Sequence, residues 1–240
     1  MAKGERGGKR GGGSAGGTAA TAPRAAAIAE APFTPFTESD AERFRAEHSD
    51  ILSDPDVSRA INLYISDTDP NGDGFSHSQN LNFKLDQGKR LNREEKFIDD
   101  HIQDGMAPIG KNTNLQRFCH DDILVQCGIP DYTKLTDSQL QSRLVGMELE
   151  TTSYLSASYD GKKSPFAPGA KLGGGREVVM NIKTKANTKV TLGESSQAEV
   201  IVNRGTKIRI TGIHYDGSTA RPRKTMRKQP RVVLDIETID

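Results

Sequence analysis

Gly193-Glu194-Ser195-Ser196-Gln197-Ala198-Glu199-Val200-Ile201-Val202-Asn203-Arg204-Gly205-Thr206-Lys207-Ile208 is the stretch that decides the fold. Turn-forming residues open it, and Gln197 and Glu199 stand one residue apart ahead of the apolar run Val200-Ile201-Val202. Asn203-Arg204-Gly205 reverses the chain, and an extended run restarts toward Ile208. Strand, glycine turn and returning strand predict an antiparallel hairpin. Alternate residues of a strand share a face, so Gln197 and Glu199 are expected side by side.

The same period of two holds on either side. Val178, Met180 and Ile182 alternate with polar neighbours, as do Ile208 with Ile210, and Val232, Leu234 and Ile236. Asp160-Gly161, Gly173-Gly174-Gly175 and Asp216-Gly217 punctuate these runs as turns. Before about Thr151 the period is helical. Ser39 and Glu42 have capping-box spacing, and Val57, Ile61 and Tyr64 recur on one face. Asn92 with Glu95 opens a helix whose apolar face is Phe97, Ile98, Ile102 and Met106. Thr136 with Gln139 opens another, lined by Leu140, Leu144 and Met147. Helices followed by antiparallel-looking strands predict an α+β domain, without internal repeats.

Hydrophobic residues make up 34% of the 240 and aromatic residues 5%, too few for a chain packed throughout. The deficit lies at the start. Residues 1–35 are nearly all Gly, Ala, Ser, Thr, Pro, Lys and Arg, which bury too little apolar surface to offset chain entropy. They are read as a disordered arm before a domain at 36–240, helical over about 36–150 and strand-rich over about 151–240.

A net charge of +1 gives no overall bias toward nucleic acid or membrane. Basic residues do gather in the arm (Lys3, Arg6, Lys9, Arg10, Arg24) and at Arg221, Arg223, Lys224, Arg227, Lys228 and Arg231. Solvated, flexible chain is the plainer reading of both, and contact with phosphates the sharper one. Cys119 and Cys127 alone make neither a disulfide framework nor a zinc site. No run approaches the ~18 apolar residues of a membrane span. No apolar stretch follows the basic N-terminus, so a secretory signal is not expected and a cytoplasmic location is.

Asp67, Asp69, Asn71 and Gly72 match the front of a calcium loop, but Ser78 stands where a bidentate Glu should close it. An ordinary turn is the expectation there. Gly173-Gly174-Gly175-Arg176 lacks the spacing of a dinucleotide fingerprint and no helix follows, so a Rossmann site is rejected.

Three motifs carry chemistry, in order: Leu115-Gln116-Arg117, Tyr154-Leu155-Ser156-Ala157-Ser158 and Gln197-Ala198-Glu199. Each alone has a plainer explanation, as a surface charge, a common Ser-x-Ser or a solvated strand face. Their joint order and strand context resemble the Arg-Ser-Glu class of ADP-ribosyltransferases, the class of clostridial exoenzymes, actin-modifying binary toxins and phage-encoded transferases. The resemblance covers roughly residues 78–240, including the helical run from Ser78-Gln79-Asn80-Leu81-Asn82 to Met106. Departures are Phe118-Cys119 after the arginine, Ala157 inside the Ser-x-Ser, and the early Lys162-Lys163-Ser164-Pro165.

The resemblance implies N-terminal helices packed on a split mixed or antiparallel β-sandwich. It implies cleavage of NAD⁺, as substrate and without a metal, at the nicotinamide-ribose bond. Glu199 then stabilises the ribose cation, Gln197 positions the acceptor, and Arg117, Ser156 and Ser158 bind NAD⁺. Arg176 and Phe166 join as loop contacts. A neutral Gln197 favours an Asn or Gln protein side chain over Arg; guanine in nucleic acid, reached through the basic arm, is the alternative. A further alternative is an inactive phage head or interaction protein, which would place the chain in a virion.

Overall fold

The computed structural model describes residues 31–120, 123–164, 177–216 and 231–239. The basic arm up to residue 30, most of the second basic run, Phe166 and Gly173-Gly174-Gly175-Arg176 lie outside the described residues. The helices are α1 (Glu38–Glu47), α2 (Ser49–Leu52), α3 (Pro55–Ile65), α4 (His77–Asp86), α5 (Arg93–Asp104), α6 (Ile123–Gln126) and α7 (Asp137–Leu144). The strands are β1 (Thr34–Pro35), β2 (Ala107–Pro108), β3 (Thr113–His120), β4 (Glu148–Glu150), β5 (Leu155–Ser158), β6 (Glu177–Thr184), β7 (Lys189–Leu192), β8 (Glu199–Val202), β9 (Lys207–Asp216) and β10 (Arg231–Thr238).

Caps set the helix starts. Asn92 with Glu95 and Thr136 with Gln139 form reciprocal capping boxes, as their spacing predicts. Two others need correction or addition. The first helix is capped by Thr37 with Asp40, two residues before the Ser39–Glu42 expectation, because Asp40 reaches back to the Thr37 N–H at 2.8 Å. Ser76 with Gln79 caps α4. The acidic loop before it is a turn: the Asp69 carboxylate accepts the N–H groups of Asn71, Asp73 and Gly74. Among the described residues no helix is long and apolar enough to cross a membrane.

The strands hydrogen-bond in the order β2-β7-β8-β5-β3-β6-β10-β9-β4, with β1 beside β3. Pairing is antiparallel except between β1 and β3 and between β6 and β10. The junction of β3 with β5 is the weak seam, where only Gln116 and Ser158 are in register. The sheet therefore divides there into two halves, which is the split that the resemblance implies. The pairing of Thr34 and Pro35 with Thr113 and Asn114 corrects the arm boundary: these two residues belong to the sheet. Arg231 corrects the solvated reading of its basic run. It is buried, and its guanidinium forks onto Glu177 at 2.7 Å and Asp216 at 3.0 Å.

Two apolar clusters fill the interior. The larger joins Leu155, Ala157, Val200 and Val202 to the strands of the other half and to α1, α6 and α7. The smaller packs Val57, Ala60, Ile61 and Tyr64 of α3, Leu81 of α4, and Ile98 and Ile102 of α5 against Tyr154 and Ile201. By strand alternation Ser156 and Glu199 lie on the face that carries Tyr154 and Ile201, the one these helices cover. Helices α3 and α5 approach closely where Gly105 ends α5, for a Cβ there would stand 2.7 Å from Val57 Cγ1. Gly105→Ala is expected to destabilise the fold by about 1–3 kcal/mol, through overpacking. A lowered urea midpoint checks this, and an unchanged midpoint would refute the tight crossing.

Candidate active site

At the seam, Arg117 of β3 reaches across to β5 and its Nη1 donates to the Ser156 carbonyl oxygen at 2.8 Å. Its Nε is buried with no hydrogen-bond partner among the described residues. Ser156 turns its hydroxyl toward α3, where Tyr64 Oη lies 3.5 Å away. Tyr64 is fully buried and accepts from Asn82 Nδ2 at 3.0 Å. Its ring meets Tyr154 edge-on at 5.7 Å.

Glu199, the first residue of β8, completes the cluster. Burial pushes its carboxyl pKa up. Hydrogen bonds from the Glu194 N–H and the Ser156 hydroxyl, with the Arg117 charge, pull it part of the way back, while the Glu194 carboxylate pushes it further up. The Glu194 N–H donates to Glu199 Oε2 at 3.3 Å. Gly193 makes this packing feasible: a Cβ there would stand 2.2 Å from Glu199 Oε2. Arg117, Ser156 and Glu199, far apart in sequence, lie together at the seam.

Two expectations change. Gln197 is not on a strand beside Glu199. It ends the single 3₁₀ turn Ser195–Gln197, and Ala198 takes the left-handed conformation (φ 52°), so β8 starts only at Glu199. Alternation therefore does not set its direction; its side chain is held by Glu194 instead, with Nε2 donating to Oε2 at 2.7 Å. Ser158, expected to contact NAD⁺, is buried, and its hydroxyl lies against the carbonyls of Asp160 at 2.8 Å and Gln197 at 3.0 Å. It braces the loop.

Sequence reasoning missed Glu194 and gave Tyr64 only a core role. Tyr64 sits where the apolar period of α3 puts a core residue, and nothing local marks its hydroxyl. Two grooves lie among the described residues, neither lined by Arg117, Ser156 or Glu199. One of about 330 Å³ runs between α2 and α3 to Leu192, with Arg45 on its wall. The other, of about 380 Å³, lies along Gln116, Ser158 and Tyr159. Among the described residues no group of three or more His, Cys, Asp or Glu side chains is placed to hold a metal ion.

No protein-family model and no curated protein matches the chain. Among solved structures it is similar to an ADP-ribosyltransferase from Clostridium botulinum, at 16% identity and TM-score 0.56, over 87% of this chain and 99% of that one. It is also similar to an ADP-ribosyltransferase toxin from Paenibacillus larvae, at 14% identity and TM-score 0.58, over 83% and 93% of the two chains. The C3 exoenzyme of Clostridium limosum aligns at 16% identity and TM-score 0.55, over 88% and 98%. At these identities the likeness is one of fold, and the chain has the α+β fold of these toxins.

The raised pKa of Glu199 has a consequence for stability. The folded state holds this proton more tightly than the unfolded chain, so the group favours folding below about pH 4.3, the ordinary value for a glutamate. That contribution is lost as pH rises through the folded value. Glu199→Gln keeps the shape and cannot ionise. Its melting temperature is expected to exceed wild type at about pH 7 and to match it at about pH 4. A lower melting temperature at neutral pH would mean that attraction to Arg117 outweighs burial.

Proposed function

We propose that the chain is an enzyme, a mono-ADP-ribosyltransferase that cleaves NAD⁺ at the nicotinamide-ribose bond and transfers ADP-ribose to a protein side chain. The observation that carries this reading is the meeting of Arg117, Ser156 and a half-buried Glu199 at the seam of the sheet.

As the bond breaks, nicotinamide leaves neutral, taking the bonding pair, and positive charge spreads over the ribose C1′ and its ring oxygen. Glu199 faces charge that exists fully only in the transition state, so its effect falls on the rate. Its raised pKa does not prevent this, because the cationic ring of NAD⁺ favours the ionised carboxylate. The Ser156 hydroxyl and the Glu194 N–H fix that carboxylate. Arg117 supplies a permanent cation for the NAD⁺ phosphates. The acceptor's lone pair then closes a bond to C1′ and its surplus proton passes to water. Gln197, a neutral amide, suits an Asn or Gln acceptor better than Arg.

With labelled NAD⁺ the wild type is expected to release nicotinamide and label protein. Glu199→Asp, which withdraws the carboxylate by one methylene, is expected to lose roughly 10²-fold in nicotinamide release. Near-normal release by that variant would refute the role of Glu199. A wild type releasing none would favour an inactive scaffold with this fold.

A further inference from the structure

Gln197 is not free to turn. Its Nε2 donates to Glu194 Oε2 at 2.7 Å, and the Ser196 hydroxyl occupies the other oxygen of the same carboxylate. A carboxylate only accepts hydrogen bonds, so the end of the Gln197 amide that meets it must be the NH₂. Reversed, the amide would set its carbonyl oxygen against a carboxylate oxygen. The Gln197 oxygen therefore points away from Glu194.

The backbone of the loop is held as well. The Glu194 carbonyl accepts from the N–H groups of Gln197 at 3.2 Å and Glu199 at 3.1 Å. From β5, the Ser158 hydroxyl holds the Gln197 carbonyl and the Tyr159 N–H holds that of Ala198, each at 3.0 Å. These bonds sustain a left-handed alanine, a conformation that costs roughly 1–2 kcal/mol.

We infer that Glu194 is a specificity-determining positioning residue: it turns the Gln197 carbonyl oxygen outward, so that the site takes a side-chain carboxamide, which donates an N–H to that oxygen. The inference rests on the proposed transferase function. A guanidinium fork, or the adjacent N–H groups of a guanine edge, calls for paired acceptor oxygens. Each oxygen of Glu194 already accepts a hydrogen bond within the loop, and Glu199 is held at the ribose. One carbonyl oxygen suits one amide N–H. That contact aligns the carboxamide nitrogen with C1′. As the new N–C1′ bond forms, nicotinamide departs with the pair of the broken bond, and the nitrogen's other hydrogen leaves to water as a proton.

The test compares wild type with Glu194→Ala and Glu194→Gln, matched by melting temperature, using labelled NAD⁺ and a bacterial lysate as acceptor source. The readout is ADP-ribose transferred per nicotinamide released. Glu194→Ala lets the amide turn and is expected to lower this ratio about tenfold, the worth of one hydrogen bond. Glu194→Gln still offers an acceptor oxygen and should fall less. Fragmentation mass spectrometry is expected to place the modification on an Asn or Gln side chain. An unchanged ratio in Glu194→Ala overturns the inference while leaving the transferase reading intact, as does attachment to arginine, a carboxylate or guanine. Absence of nicotinamide release from wild type overturns both.

Discussion

A carboxylate withdrawn from water without a direct ion pair is expensive, and the site depends on keeping Glu199 in that condition. Arg117 is close enough to influence it, yet its Nη1 is committed to the Ser156 carbonyl. What holds Glu199 is a backbone N–H from Glu194 and a hydroxyl from Ser156. These bonds orient the carboxylate without neutralising its charge, which stays available to a cation arriving from outside. Gly193 permits the geometry, because a Cβ there would stand 2.2 Å from Glu199 Oε2.

The support behind this arrangement is a polar network between the helical layer and the strands. Tyr154 Oη donates to Asp99 Oδ1 at 2.7 Å and accepts from Gln103 Nε2 at 2.8 Å. Gln103 also reaches Asn203 Oδ1, and Arg204 forks onto Asp99 at 2.8 and 3.0 Å. Helix α5 is thereby fastened to the chain entering β5 and to the turn leaving β8, the two strands that carry Ser156 and Glu199. Tyr64 ties α3 to the same point, and Asn82 of α4 donates to Tyr64 and accepts from the Tyr154 N–H, so three helices bear on two strand segments. Reactive groups set on such elements keep their spacing better than groups on free loops.

What the sequence made legible follows from how local each signal is. Asn92 with Glu95 and Thr136 with Gln139 are contacts within one helical turn, and alternation at Val178, Met180 and Ile182 reflects a face buried along its whole length. Arg117, Ser156 and Glu199 stand out through ordered motifs, and their meeting depends on the seam between β3 and β5. Gln197 departs from its expected place because alternation assumes an unbroken strand, and one left-handed residue, Ala198, resets the direction of the chain. Alanine gives no warning of that conformation, since Gly or Asn is its usual marker. Arg231 escapes a local reading because both of its partners, Glu177 and Asp216, are distant in sequence or lie across a strand pair.

Glu194 and Glu199 place two acids within one short loop, and the Glu194 charge disfavours ionisation of Glu199. The Glu194 carboxylate accepts from Ser196 and Gln197, and burial adds to the penalty on Glu199. On the proposed function the positive ring of NAD⁺ lifts that burden, because it favours the ionised carboxylate. The charge that burial disfavours is then the charge that recognises the substrate. Substituting Glu199 with a neutral residue would remove the instability and the recognition together, which is why the stability cost at this position is informative about its use.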